Sequence, residues 1–187
     1  MRERTVRIAI SGRSGAGKTT LARSLGDWFG ANVESFSRPI KNALNGLLEQ
    51  AGITDPSPLL YRRALQFLCD DLLHLFGHDF FVRALANRIA DRPAVIIDDL
   101  RTRVEMAWCR EQGFFLVRLV GSFAPLPPSL SQHWTEHDLD DVEDWDLVLE
   151  TGDLNERTEL VVDRWLEWSE RHARAGHRDD RARSGVQ

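Results

Sequence analysis

The sequence predicts an α/β fold in which a mostly parallel β-sheet is flanked by helices on both faces. Short apolar runs typical of buried strands, such as 6–11 and 94–99, alternate with longer segments whose apolar residues recur at helical spacing. This alternation is typical of parallel sheets covered on both sides. A glycine-rich turn follows the first strand directly, so the carboxyl edge of the sheet is the expected place for a ligand.

Each element in the first half of the chain has a recognisable start or stop signal. Apolar residues at helical spacing follow Thr19 until Gly30 ends the helix, and Pro39 is well placed to open the next one. The segment 52–58 combines Gly, Asp, Ser and Pro, which is the chemistry of a loop. We therefore predict strands at 6–11 and 32–35 and helices at 19–29, 39–48, 59–76 and 80–90, the third helix carrying an apolar stripe of Leu65, Leu68, Leu72 and Leu75 or Phe76.

The second half of the chain continues the same alternation. The run 94–99 is the clearest strand, because it is continuously apolar and ends in two carboxylates. Gly113 ends the helix that follows, and the residues beyond 171 are basic and lack apolar periodicity. We predict a helix at 104–112, strands at 114–120 and 146–149, a proline-rich loop at 121–134 and a last helix from 154 to about 172.

Composition limits the partners that the chain is expected to have. The formal net charge is −5, although the end of the chain from Arg171 onward is rich in arginine, so the rest of the chain is more acidic still. An acidic body is a poor surface for long nucleic acid. The N-terminus is too short and polar for a signal peptide, and no apolar run has membrane-spanning length, so a cytoplasmic protein is expected. Cys69 and Cys109 have neither metal nor redox spacing and are expected in the core.

The turn after the first strand matches the complete phosphate-loop pattern G-x-x-x-x-G-K-[ST]. Its glycines allow close backbone approach, so the loop amides and the helix N-terminus face the phosphates of ATP or GTP. Lys18 is expected to face solvent and reach the β- and γ-phosphates, and the Thr19 hydroxyl is expected to bind Mg²⁺. The fold class is therefore a P-loop NTPase-type three-layer sandwich. The predicted nucleotide-binding residues are Gly12, Ser14, Gly15, Ala16, Gly17, Lys18, Thr19 and Thr20.

A second candidate cluster follows the strand 94–99. Asp98 or Asp99 is expected to hold Mg²⁺ through water or to orient a substrate hydroxyl, as a Walker-B-type acid does. Arg101 and Glu105, four residues apart, share one helix face. In a purely local alternative, Asp99 caps the helix and Arg101 pairs with Glu105. The phosphate loop favours the functional interpretation, because such a loop needs an acid near its metal.

A third candidate cluster lies on the long helix. Arg62 and Gln66 are one turn apart and suited to bind a phosphate and a base edge, whereas Arg63 points about 100° away. A solvated helix face is the alternative. Arg38 and Lys41 add positive charge at the start of the preceding helix.

With these clusters the chain resembles the phage-type deoxynucleoside monophosphate kinases. The likeness runs through the phosphate loop and the segments 37–41, 62–66, 95–101 with Glu105, 133–136 and 146–152. In that family the arginine-rich helix and the D-x-R-x-x-x-E element bind the nucleoside monophosphate. The predicted substrate-binding residues are therefore Arg38, Lys41, Arg62, Arg63, Gln66, Asp99, Arg101 and Glu105, the predicted catalytic residues are Lys18, Asp99 and Arg101, and the predicted metal ligands are Thr19 and Asp98.

The sequence departs from the family pattern in three places. The family has Gly-Thr where Cys69 and Asp70 stand, a tryptophan where Phe80 or Phe81 stands, and usually an asparagine where Thr151 stands. The first two departures fall in the substrate region, so the resemblance implies no base preference, and Asp70 is a candidate for selecting a different acceptor.

The predicted function is that of a nucleoside or deoxynucleoside monophosphate kinase that uses ATP and Mg²⁺. A single kinase domain of 1–170 is expected, with a helical substrate-binding segment at about 38–91, a lid at about 121–140 and a flexible basic tail at 171–187. The expected partner is a small nucleotide in the cytoplasm, that of a bacterial host if the protein is phage-encoded, and a homodimer is left open. The alternatives are a kinase for another acceptor, such as a modified base in DNA, and a nucleotide-dependent switch. For a switch, the sequence lacks a water-positioning glutamine near the strand end and a base-reading motif.

Overall fold

A single parallel sheet organises the chain. The computed structural model describes residues 5–121 and 127–184, without the side chains of Ser129 and of residues 175–184. The strand order is β2-β3-β1-β4-β5, and every adjacent pair is parallel. The predicted α/β fold with a parallel sheet is confirmed. The strands are β1 (Val6–Gly12), β2 (Asn32–Glu34), β3 (Ala94–Leu100), β4 (Phe115–Val120) and β5 (Leu147–Glu150).

Helices connect the strands and cover both faces of the sheet. The first helix begins directly after the glycine-rich loop, and Gly30 ends it with left-handed backbone angles, as the sequence predicts. Among the residues that the structure describes, no helix combines the length and apolar character needed to cross a membrane. The helices are α1 (Lys18–Phe29), α2 (Arg38–Gln50), α3 (Pro58–Phe76), α4 (Phe80–Ile89), α5 (Arg103–Glu111), α6 (Pro128–Ser131) and α7 (Leu154–Ser184), with a 3₁₀ turn at Trp134–Glu136.

Two hydrophobic layers, one on each face of the sheet, make up the core. On β3, Val95 and Ile97 pack with α2, α4 and α5, whereas Ile96 packs with α1 and α7. This division follows from the two-residue period of a strand, which sends alternate side chains to opposite faces. Because both faces are covered, the strands are apolar at consecutive positions rather than at alternate ones.

The buried side of α3 differs from the predicted stripe. Leu75 and Phe76 are 69% and 56% exposed, and only Leu73 is fully buried. The face turned to the core carries Leu65, Cys69, Leu72 and Leu73. The prediction was wrong at its C-terminal end because leucine occurs on several sides of this helix, so periodicity alone does not define one face.

The end of the chain also differs from expectation. Helix α7 continues to Ser184 instead of ending near residue 172. The added residues contain no proline and are rich in Ala and Arg, which favour a helix. Two predicted segments lie partly outside the described residues. These are the flexible tail of 171–187, at 185–187, and the lid of about 121–140, at 122–126. Within the proline-rich segment predicted as a loop at 121–134, Pro128–Ser131 forms the short helix α6, and the 3₁₀ turn begins at the last residue of that segment, Trp134.

A buried carboxylate that the sequence did not reveal anchors the end of β2. Glu34 is 1% exposed and pairs with Arg92 at 2.6 Å and with Arg38 and Arg88 at 3.4 Å. Arg88 also donates to the backbone oxygen of Ser35 at 2.7 Å. These contacts tie α2 and α4 to the strand end that precedes the site.

Removing this buried charge is expected to be costly. We expect Glu34→Ala to lower the free energy of unfolding by about 3–5 kcal/mol, because three arginines lose their shared buried counter-ion. Urea denaturation measures the change. The matched control is Glu167→Ala, which removes an exposed partner of Arg164 and should cost no more than about 1 kcal/mol. Equal effects of the two variants would contradict the anchoring role.

Candidate functional site

A cavity of about 860 Å³ opens where β1 and β3 end. The loop after β1 lines one side, helices α2 and α3 line another, and residues 133–136 and 138 complete the wall. Ser11 in β1 pairs with Leu100 in β3, so the two strand ends lie side by side. The two polar strand ends that the sequence analysis selected therefore share one site, at the edge of a parallel sheet where ligands bind.

The glycines of the loop are required by its geometry. Gly15 and Gly17 have φ angles of 83° and 82°, which side chains with a Cβ rarely adopt. A Cβ on Gly12 would lie 2.8 Å from the backbone oxygen of Leu119, so this glycine allows close packing against β4. Gly17 immediately precedes α1, whose N-terminus therefore borders the cavity. The arrangement is that of a phosphate-binding loop.

Lys18 does not face solvent, and that expectation was wrong. Its side chain is 8% exposed and lies back over its own loop, where Nζ donates to the carbonyl oxygens of Gly12 at 2.7 Å and Arg13 at 2.8 Å. Burial and, to a smaller extent, the neighbouring Arg101 lower the pKa of Lys18 to about 7, although Glu136 and Asp99 act in the opposite direction. The ammonium group is thus held at the cavity by carbonyls that an incoming phosphate can replace.

Asp98 lies beside the phosphate loop. The Thr19 hydroxyl donates to Asp98 Oδ2 at 2.8 Å, while Asp98 Oδ1 is buried and has no hydrogen-bond partner among the described residues. Burial raises the pKa of Asp98, and the adjacent Asp99 raises it further. No group of three or more His, Cys, Asp or Glu that could hold a metal occurs in the described part of the chain. A carboxylate and a hydroxyl nevertheless fit Mg²⁺, which takes few protein oxygens and completes its shell with phosphates and water.

Asp99, the next residue of β3, holds the turn before α2. Its carboxylate accepts hydrogen bonds from the backbone N–H of Phe36 at 2.7 Å and of Ser37 at 3.0 Å, and from the Ser35 hydroxyl at 2.5 Å. Burial by itself would raise the pKa of Asp99, but Lys41 and the two serines outweigh it and lower the pKa. The side chain still borders the cavity. Its hydrogen bonds position the Ser35–Ser37 turn.

The helix that follows β3 is capped by Thr102 rather than by Asp99. Thr102 Oγ1 accepts from the backbone N–H of Glu105 at 3.2 Å, and Glu105 Oε2 accepts from the N–H groups of Thr102 at 2.9 Å and Arg101 at 2.8 Å. Burial raises the pKa of Glu105 to about 8, and Asp99 contributes to the rise. The local alternative in which Asp99 caps the helix and Arg101 pairs with Glu105 through side chains is wrong, because the Arg101 guanidinium turns to Glu136.

Arg62, Arg101 and the phosphate loop converge on the Glu136 carboxylate. The Arg62 guanidinium lies 3.1 Å from Oε1 and also donates to the Ser14 hydroxyl, and the Arg101 guanidinium bonds the same Oε1. The backbone N–H of Ser14 donates to Oε2 at 3.3 Å. Burial would raise the pKa of Glu136, but Arg101 and Arg62 outweigh it and lower the pKa, so the carboxylate is ionised. Its side chain is 3% exposed.

The other predicted substrate residues divide into two groups. Lys41 lies 3.5 Å from the Ser35 hydroxyl, and Gln66 donates to the backbone oxygen of Leu130 at 3.2 Å; both line the cavity. Arg63 is exposed, whereas Arg38 bonds the backbone oxygen of Val33 and pairs with Glu34. Neither of these two arginines lines the cavity.

Glu136 and the Ser35–Ser37 turn are site features that residue patterns did not reveal. Residues 133–136 entered the sequence-based predictions through the family resemblance and as part of the lid at about 121–140, and no role was predicted for Glu136 itself. A signal for the turn existed in Ser35 and Ser37, at the end of the predicted second strand and just after it. No local signal identifies Glu136, because its partners lie 35 to 122 residues away in sequence.

Comparison with solved structures identifies the fold. A gluconokinase from Sinorhizobium meliloti 1021 aligns over 92% of this chain and 98% of its own, with 18% identity and a TM-score of 0.57. Shikimate kinase from Aquifex aeolicus vf5 aligns over 86% of this chain and 96% of its own, with 10% identity and a TM-score of 0.51. This chain has the P-loop kinase fold. No protein-family model matches it, and neither does any curated protein.

Proposed function

We propose that the chain is an ATP- and Mg²⁺-dependent kinase that phosphorylates a nucleoside or deoxynucleoside monophosphate. The P-loop kinase fold and the phosphate loop support phosphoryl transfer. The nature of the acceptor is inferred from the walls of the cavity. The proposed domain is 1–170, and the proposed partner is a free nucleotide in the cytoplasm rather than DNA.

The observation that carries this proposal is that one cavity has two kinds of lining. Lys18, Arg62 and Arg101 lie beside the phosphate loop and suit phosphate groups. A second set of lining residues is apolar and partly aromatic and belongs to one hydrophobic cluster, which suits a planar base. This set consists of Phe36, Ile40, Leu65, Leu73 and Phe81. An acceptor that combines a phosphate with a flat ring, such as a nucleoside monophosphate, complements both kinds of lining.

One set of residues would bind the phosphate donor and its metal ion, and another set would bind the acceptor. The loop amides and Lys18 would hold the donor phosphates, while Thr19 and Asp98 would hold Mg²⁺, which supplies charge neutralisation when bound. Arg62 and Arg101 would balance charge on the acceptor phosphate. An acceptor phosphate oxygen attacks the γ-phosphorus of ATP, and the bond from that phosphorus to the bridging oxygen breaks. The products are ADP and a nucleoside diphosphate.

A substitution at Asp98 tests the assignment of the metal ligand. We expect Asp98→Asn to raise the Mg²⁺ concentration needed for half-maximal ADP release by about tenfold. The melting temperature should stay level or rise: burial raises the pKa of Asp98, so its ionised form destabilises the fold at neutral pH and an amide relieves that cost. Asp91→Asn, an exposed position, is the control. An unchanged Mg²⁺ requirement in Asp98→Asn would contradict the assignment.

The acceptor itself is tested by a coupled assay of ADP release. Ribo- and deoxyribonucleoside monophosphates are compared with gluconate and shikimate, the acceptors that the names of the two structural neighbours suggest. A duplex with a modified base is included with labelled ATP. We expect turnover with free monophosphates only. Turnover with a hydroxy acid, or label in DNA alone, would overturn the acceptor while leaving the kinase activity standing.

A further inference from the structure

The Glu136 carboxylate occupies the point where the two arginines meet the phosphate loop. It accepts from the guanidinium groups of Arg62 and Arg101 and from the backbone N–H of Ser14. Two guanidinium donors and one loop amide on a single buried anion are the bonding pattern that P-loops and arginines offer to phosphate oxygens. Glu136 therefore mimics a phosphoryl group chemically.

Charge explains why this point needs an anion. Lys18, Arg62 and Arg101 are close enough that both arginines lower the pKa of Lys18, and Glu136 acts in the opposite direction. An ionised carboxylate offsets their mutual repulsion in a largely water-excluded place. A phosphoryl group carries more negative charge and needs the same donors. The carboxylate and the phosphoryl group would compete for these donors and repel each other, so they exclude one another.

The segment that carries Glu136 is fastened by polar contacts outside the arginine cluster. Asp70 on α3 accepts from the Trp134 indole N–H at 2.8 Å and lies 3.0 Å from His133 Nε2. On the other side, the backbone N–H of Arg103 donates to Asp138 at 2.8 Å. The Asp70 and Trp134 contacts are partly exposed, and contacts of this kind are individually weak. Leu130 and Leu139, which are 2% and 3% exposed, bound this part of the chain as buried residues, so the segment that can detach without unfolding the sheet is 133–138.

We propose that Glu136 competes with a phosphoryl group for the same hydrogen-bond donors, and that residues 133–138 move away when a phosphorylated ligand binds. The inference rests on the proposed function, because the ligand phosphate at this point is the γ-phosphate of the donor or the phosphate of the acceptor. Only molecules in which the segment is open can bind the ligand phosphate, so the apparent Kd equals the intrinsic Kd divided by the open fraction. The segment therefore raises the concentration of phosphate ligand that is needed for binding.

Calorimetric titration with inorganic tripolyphosphate tests the competition. We expect Glu136→Gln to bind this probe about tenfold more tightly than the wild type, because an amide keeps the size of the side chain but loses the charge-assisted bonds to both arginines. Glu143→Gln, an exposed position, removes one negative charge outside the segment and should leave the Kd unchanged. If Glu136 instead positions the arginines for phosphate, its loss weakens binding.

A second variant releases the segment without touching the arginines. Asp70 does not line the cavity, and it is half-exposed, so Asp70→Ala should fold normally. We expect tripolyphosphate to bind this variant about two- to fivefold more tightly, because the closed arrangement loses its contacts to His133 and Trp134. Unchanged or weaker binding in both Glu136→Gln and Asp70→Ala overturns the inference.

Failure of the competition and failure of the proposed function give different results. Wild-type protein that phosphorylates a monophosphate, with variants that bind tripolyphosphate no more tightly, overturns the competition alone. Wild-type and variant proteins that all fail to bind tripolyphosphate, together with no ADP release, overturn both the competition and the proposed function.

Discussion

Lys18→Met is expected to reduce phosphoryl transfer by about 10²- to 10³-fold, the usual cost of losing one preorganised electrostatic contact to a transition state. Methionine keeps the length of the side chain and removes the charge that would follow the donor phosphates. The measurement is ADP release at saturating ATP and acceptor. Arg23→Met, an exposed position on α1, removes one positive charge elsewhere and should keep wild-type turnover.

The stability of the same variant has a predictable pH dependence. Burial lowers the pKa of Lys18 to about 7, so its charged form is disfavoured in the fold relative to the unfolded chain. The loss of folding stability caused by the buried charge is fully present below the pKa of Lys18 in the folded protein. It disappears above the pKa of Lys18 in the unfolded chain. Relative to wild type, Lys18→Met should therefore gain stability as the pH falls from about 10 to about 6. Near-wild-type turnover, or the opposite pH trend, would contradict this account of Lys18.

The sheet and the phosphate loop could be predicted because their signals are local. A strand reveals itself by a short apolar run, and the loop by glycines at fixed spacing before a lysine. The long helix was harder, since Leu75 and Phe76 extend the apolar pattern of α3 but are exposed. Periodicity identifies a helix reliably, but it does not identify the buried side of one that carries leucine all round.

The separate contacts of Asp98 and Asp99 could not be predicted from the sequence. The strand is irregular at this point, because Ala9 pairs with Ile97 but Ser11 pairs with Leu100, so simple alternation does not assign the two carboxylates to faces. Asp98 meets Thr19 at the start of α1, while Asp99 meets the turn before α2. Which face each helix covers is a tertiary property, and the sequence left both carboxylates as candidates for the metal.

Buried ion pairs lay beyond prediction for the same reason. Glu34 gathers three arginines, two of them from α4 and the residues after it, and Glu136 gathers two from distant elements. Such side chains look like ordinary surface charges in a sequence with 28% charged residues. Their role depends on which distant residues the fold brings to them.

Neighbouring arginines on α3 offer the most direct test of the acceptor site. Arg62 points into the cavity and reaches Ser14 and Glu136, whereas Arg63 is exposed and does not line it. We expect Arg62→Ala to weaken the apparent affinity for the acceptor by about 10- to 100-fold, the effect of losing a charged bidentate contact to a desolvated phosphate. Arg63→Ala, with the same loss of charge one residue away, is the matched control and should resemble the wild type.

Two further outcomes decide what the Arg62 contact does. If Arg62 serves the acceptor, KM for the monophosphate rises far more than KM for ATP, and Arg101→Ala shows the same pattern, because the two guanidinium groups meet at one anion. If KM rises equally for both substrates, Arg62 acts through its bond to Ser14 in the phosphate loop and belongs to the donor site. Equal effects of Arg62→Ala and Arg63→Ala would show that Arg62 does not bind the acceptor, because only one of the two side chains faces the cavity.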